Sequence, residues 1–399
     1  MKEKFSLMIF AVILFFVSTV KAAPEMIQIS AESAILVEAS TGRVLFEKNA
    51  DVVRPPASLT KMMTGILALE KLSLESFIEV SQNAAYTDYS TLELHKGDVV
   101  NSYELLTGMM LVSDNGGAVA IAENIAGSVP LFSVMMNDKA REIGCEHTNF
   151  ANPNGLPNSA HVSTARDMAK IAMYCMQNET FRQIVSTQKM IMHWTNPAGR
   201  TILCENTNEL LYKDEKSKIR TPYNPAEITG IKTGYTDAAG GCLAASAKRG
   251  DIELIVIVLH AADSDTRFED AAKLLNYGFE NVKMTRQVLK NRIEKTAFVR
   301  GGTKATVKIG VEDDIVFPLF EGEDAKNLSI TYEFPKFLDA GIKRGQVVGT
   351  AILNYAGKPV ASVPMVARES VAEGFSIMST LAAWSEPLFL FAQNYFGNA

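Results

Sequence analysis

Cysteine is scarce: four in 399 residues, at 145, 175, 204 and 242. None sits in a close pair or at zinc-ligand spacing. The five His residues stand singly along the chain. A resident metal is therefore not expected, and no cofactor is implied. Positive charge is not in excess either. Against 45 Asp and Glu there are 39 Lys and Arg, a formal net charge of −6. A broad basic surface for nucleic acid is excluded. Long apolar runs are few. One spans Phe5 to Val20, behind the charged start Met1-Lys2-Glu3-Lys4 and before Lys21-Ala22-Ala23. It reads as a secretory signal peptide, residues 1–22, cut after Ala22. The run is short for a spanning anchor. The mature chain is expected outside the cytoplasm, in a periplasm or on the outer face of the cytoplasmic membrane.

What is present centres on Pro55-Pro56-Ala57-Ser58-Leu59-Thr60-Lys61 and the apolar run Met62 to Leu69. Two prolines hold an extended approach, and the spacing predicts a helix beginning at Ser58. Residues i and i+3 share a helix face, so Lys61 stands one turn from Ser58. A hydroxyl beside free backbone N–H groups, with a desolvated lysine in reach, is a nucleophile with a base. Two further stretches follow in order: Ser113-Asp114-Asn115 and Lys232-Thr233-Gly234. No His lies inside any of the three, so a Ser-His-Asp triad is not expected.

The rest of the chain gives these motifs a frame. Strands are expected at 34–39 and 44–47, and at 242–248 and 254–260, with Gly230-Ile231-Lys232-Thr233-Gly234 beginning another. Helices are expected at 102–112, capped by Ser102, at 131–143, at about 165–176 and at 268–282. Tyr212 to Ile228 reads as a polar hairpin-like segment. Strands at both ends with helices between predict one mixed α/β (α+β) domain with an antiparallel sheet, residues 23–286. Short strands separated by turns predict a small all-β domain at 287–367. The tail, 371–399, is rich in apolar residues and interrupted by Glu386-Pro387. It reads as an amphipathic helix lying at a membrane surface.

Taken together, the three motifs resemble those of the penicillin-recognising serine enzymes. Asn152-Pro153-x-Gly155-Leu156, Ser163-Thr164-Ala165-Arg166-Asp167-Met168-Ala169, Gly230-Ile231-Lys232-Thr233-Gly234-x-Thr236 and Asp263-Ser264-x-x-x-Arg267 narrow it. They resemble the D-alanyl-D-alanine carboxypeptidases of the DacA type, the low-molecular-mass penicillin-binding proteins. The resemblance covers nearly all of the mature chain. It implies a β-lactamase/transpeptidase-like fold, a peptidoglycan pentapeptide substrate ending in D-Ala-D-Ala, and β-lactams as inhibitors. By motif, Ser58 is implied to be the acylated nucleophile, Lys61 its base and Ser113 a proton relay. Asn115 is implied to bind the substrate amide, Lys232 to support the proton network as a fixed cation near the pocket, and Thr233, beside the substrate-binding Gly234, to bind the terminal carboxylate. The N–H groups of Ser58 and Tyr235 are implied to form the oxyanion hole. Arg267 is a further candidate for the carboxylate.

Three departures from that family stand in this chain. Asp114 takes a place often held by Gly and is expected to face the surface with little chemical effect. Thr207 stands where some relatives carry Arg, and Tyr235 where His or a small residue is frequent. A β-lactamase is the nearest alternative, yet the loop 149–164 holds no Asp or Glu to deacylate. A penicillin sensor that acylates without turnover is the other.

Overall fold

The strand Ser33–Glu38 is buried at every position, so both of its faces must be covered. It pairs antiparallel with Val44–Lys48 and with Ile252–Ala261. Gly240–Arg249 and Ile228–Thr236 complete a five-stranded antiparallel sheet, with Ile228–Thr236 at its edge. Because side chains alternate along a strand, the sheet feeds two cores. Ile35, Val37, Ile255 and Ile257 face the helical block. Ala34, Leu36, Leu254 and Val256 face the closing helix Thr266–Asn281 through Phe268, Ala271 and Leu275. This computed structural model describes residues 27–213, 219–288, 292–374 and 376–377. The expected signal peptide lies outside the described residues, as does most of the expected tail, 375 and 378–399.

The helical block comprises Lys61–Lys71, Ser102–Val112, Asn115–Ala126, Val129–Ile143 and Ala165–Met176. Two of the expected boundaries need correction. The α-helix starts at Lys61, and Ala57–Thr60 is a 3-10 turn leading into it. The cap of Ser102–Val112 is Asn101, whose side chain accepts from the Tyr103 and Glu104 N–H groups. Asn101 ends a short strand in extended conformation, so its side chain can turn back over the helix start, whereas Ser102 is already inside the first turn.

A second sheet was not anticipated. It joins Phe77–Glu79, Val99–Asn101, Lys189–Asn196 and Thr201–Glu205. Two of its strands are three residues long, too short to show an alternation. The expected hairpin at 212–228 is absent among its described residues, which run irregularly to a 3-10 turn at Pro225–Glu227.

Beyond the closing helix, Val282–Val288 pairs with Ile315–Phe320, and six strands form a separate sheet. Val299, Val307, Ile309, Leu353 and Met365 fill this all-β domain. Val371, expected at the start of the tail, is wholly buried in the same core and bridges to Ile342. Arg43 joins the two domains. Its guanidinium pairs with Glu323, donates to the Pro318 carbonyl and lies 4.8 Å over the Phe317 ring.

Candidate active site

Ser58 is placed by a strained turn. Ala57 before it has φ +49°, in the left-handed region that residues with a Cβ avoid. Gly155 passes directly against this peptide. A Cβ at 155 would lie 1.9 Å from the Ala57 carbonyl oxygen, and φ is +86°, so only glycine fits. Gly234 plays a similar part on the other side. Its absent Cβ would stand 3.0 Å from the Ser58 nitrogen, which lets the edge strand Ile228–Thr236 run alongside the turn.

Lys61 is 0% exposed, and its Nζ donates to Ser58 Oγ at 2.9 Å, Asn115 Oδ1 at 2.7 Å and the Asn154 carbonyl at 2.7 Å. Burial pushes its pKa down from 10.5 to about 7, against the pull of the Asp114 carboxylate. Near neutral pH a large fraction is the free amine, with a lone pair available to the Ser58 hydroxyl.

Ser113 and Asn115 come from a corner between two helices. Ser113 ends the first in a left-handed conformation, φ +62°, which turns the chain toward the cavity. Asn115 opens the second helix, and its Nδ2 donates to the Asp88 and Tyr89 carbonyls at 2.9 and 3.3 Å. Asp114 is not at the surface, as was expected, but 0% exposed. Its carboxylate accepts from the backbone N–H groups of Thr91, Leu92 and Gly117. The loop carrying Tyr89 and Thr91 folds over it, and the charge is satisfied by those donors.

Lys232 belongs to the edge strand with its side chain buried and its Nζ donating to the Thr233 carbonyl at 3.1 Å, and no carboxylate lies within ion-pair distance of it among the described residues. Burial first, then the charges of Lys61 and Arg267, hold its pKa well below the usual lysine range. Thr233 Oγ1 meets Thr207 Oγ1 at 2.6 Å, so Thr207 supplies a second hydroxyl there. Arg267 donates to the Gly234 carbonyl at 2.7 Å and stacks 4.8 Å over Phe268.

These groups surround one cavity of about 540 Å³, the size of a small peptide end. Ser58, Ser113, Asn115, Thr233, Gly234, Tyr235 and Arg267 line it, and Lys61 and Lys232 lie buried behind that lining. Two contributors escaped the sequence reading. The Asn154 carbonyl that holds Lys61 is a backbone group; the quoted Asn-Pro-x-Gly-Leu motif was its only sign. His161, 2% exposed, reaches Thr60 Oγ1 at 2.7 Å from beneath the Ser58 turn. All four cysteines are free thiols.

A serine and a buried lysine on an edge-strand cleft, in an α+β domain followed by an all-β domain, define a serine acyl-transfer enzyme. Residues 18–263 match the family described as D-alanyl-D-alanine carboxypeptidase, peptidase S11. Residues 279–373 match the C-terminal domain of penicillin-binding protein 5. The chain belongs to the S11 D-alanyl-D-alanine carboxypeptidase family. It is 30% identical to the D-alanyl-D-alanine carboxypeptidase DacF of Bacillus subtilis, over 89% of this chain and 90% of the relative. It is 31% identical to DacC of Escherichia coli, over 91% and 90%. The solved structure of penicillin-binding protein 5 from Haemophilus influenzae superposes with a TM-score of 0.70 at 29% identity, covering 88% of this chain and 100% of that one.

Proposed function

We propose that this protein removes the terminal D-alanine from peptidoglycan stem peptides through an acyl-enzyme on Ser58. The observation that carries the reading is the wholly buried Lys61 amine, 2.9 Å from Ser58 Oγ and lowered to about pKa 7. Neutral Lys61 takes the hydroxyl proton as Ser58 attacks the carbonyl between the two D-alanines. The developing oxyanion is held by the Ser58 and Tyr235 N–H groups. Ser113 passes a proton to the leaving amine. Water then attacks the acyl-enzyme with Lys61 again as base. Thr233, Thr207, Lys232 and Arg267 form the end that receives the free carboxylate. Asn115 holds Lys61 and meets the substrate amide by giving up its longer contact to Tyr89.

Penicillin should add its mass to a peptide containing Ser58, and the purified enzyme should release D-alanine from a D-Ala-D-Ala peptide. Ser58→Ala should abolish both. Labelling that persists in that variant places the nucleophile elsewhere. A β-lactamase reading would need rapid release of the penicilloyl ester, which the same labelled species measures directly. A sensor would be labelled yet release no D-alanine.

The signal peptide and tail support export and attachment to the outer face of the membrane, with the all-β domain as a spacer. Truncation after Gly374 keeps the buried Val371 and should release a folded, fully active enzyme into the soluble fraction. A truncated protein that still sediments with membranes rules the tail out as the anchor.

A further inference from the structure

We propose that His161 is a positioning residue for acylation, acting through Thr60 on the peptide bond between Ala57 and Ser58. The proposal rests on Ser58 as the nucleophile. Both relay side chains are sealed in: His161 is 2% exposed and Thr60 0%. The Phe150 ring packs edge-on against the imidazole, with centroids 5.6 Å apart.

The direction of each hydrogen bond follows from chemistry. The Ala151 backbone N–H can only donate, and it meets His161 Nδ1 at 3.0 Å. Nδ1 is therefore the unprotonated nitrogen, and the ring hydrogen sits on Nε2. A doubly protonated ring would set one N–H against another. Nε2–H then donates to Thr60 Oγ1 at 2.7 Å, which leaves the Thr60 hydrogen for the Ala57 carbonyl, also at 2.7 Å. Every donor and acceptor is used once, in one direction.

The end of the relay matters because the Ala57 carbonyl and the Ser58 N–H belong to one planar trans peptide. Fixing the oxygen fixes the direction of the N–H on the opposite side, the donor assigned above to the oxyanion. Ala57 needs such a hold, since its φ of +49° is intrinsically disfavoured. Gly155 and the Thr60 hydroxyl approach the same oxygen, one as a wall and one as a donor. His161 touches neither the substrate nor the reacting atoms, so its effect on rate passes through this plane.

A misdirected oxyanion donor weakens the transition state and leaves the first encounter with the ligand intact. Thr60→Val, which keeps the shape and loses the hydroxyl, should slow the acylation rate constant for a fluorescent penicillin at least tenfold. The dissociation constant of the complex before acylation should stay within about twofold. Thr60→Ser should restore the rate. His161→Asn retains an acceptor for Ala151 but cannot reach Thr60, and it should slow acylation similarly. The double variant should be no slower than the slower single, because both break one chain. A Thr60→Val or His161→Asn protein that acylates at the wild-type rate overturns the relay. So does a Thr60→Ser as slow as Thr60→Val, or a double variant whose losses multiply. If Thr60→Val does not fold, His161→Asn and Thr60→Ser decide between these outcomes. Failure of wild-type protein to be labelled at Ser58 refutes the proposed function instead.

Discussion

Replacing Lys61 by Met separates stability from catalysis at one buried side chain. In the folded enzyme the Lys61 pKa is about 7 instead of 10.5. In the unfolded chain the group returns to its ordinary value. Between those two values the unfolded state holds a proton that the folded state does not. Stability contributed by this group therefore rises with pH across that window and is level below pH 7. The slope is about 1.4 kcal/mol per pH unit, and the full cost near pH 7 is about 4–5 kcal/mol. Lys61→Met carries no such titration. It does leave Asn115 Oδ1 and the Asn154 carbonyl without their donor, a pH-independent loss of about 1–3 kcal/mol for each group. The clean quantity is thus the change with pH. Urea unfolding at pH 7.5 and 9 should show the wild type gaining about 2 kcal/mol on Lys61→Met. A difference that stays flat across that interval means that Lys61 keeps its proton in the fold, and the base assignment falls with it.

The same titration should govern chemistry. Acylation requires the free amine, so its rate should fall about tenfold per pH unit below pH 7, to roughly a hundredth at pH 5. Lys61→Arg keeps a charge that cannot be shed and should lose orders of magnitude at every pH.

Asp114→Asn removes the carboxylate that holds the Lys61 pKa up and sets an amide against backbone donors. The acid limb of acylation should move to lower pH, and unfolding should show a loss of about 1–3 kcal/mol. Gly155→Ala puts a methyl 1.9 Å from the Ala57 oxygen. It should abolish penicillin labelling even where circular dichroism reports a folded chain. Arg267→Gln should lower kcat/KM for a D-Ala-D-Ala peptide by about tenfold to a hundredfold, as loss of a charge-assisted contact does, mainly through KM. An unchanged KM would assign the carboxylate to the threonines and Lys232 alone.

Ser58, Lys61, Ser113 and Lys232 could be read as candidates because each belongs to a short local motif, and the fold brings those motifs to one cleft. The strands at 34–39 and 254–260 were legible for a similar reason, since Ala34 to Val37 and Leu254 to Leu259 are continuous apolar runs; that their alternation divides between two cores is seen only in the fold. What remained hidden depends on long-range burial. Asp114 looks like a loop acid in sequence, and only the 86–92 loop closing over it makes it a buried anchor. The Asn154 carbonyl has no side-chain signature. Val282–Val288 and Ile315–Phe320 make a pair only because the chain returns after about one full hairpin, so neither segment announces its partner.

The arrangement of charge gives the site its logic. A buried cation is ordinarily matched by a carboxylate, since removing one partner of a buried pair costs about 3–5 kcal/mol. Here Lys61 and Lys232 are both buried, and the nearby acid, Asp114, is engaged by three backbone donors. The protein thus holds Lys61 near neutrality by withholding an ion-pair partner, which is what a base requires. Lys232, pressed down by its burial and then by the charges of Lys61 and Arg267, has no carboxylate partner among the described residues. In the proposed mechanism a substrate ending in a free carboxylate supplies that partner, and an interior peptide does not. In that mechanism, preference for a chain terminus follows from the same shortage of negative charge that keeps the Lys61 pKa low.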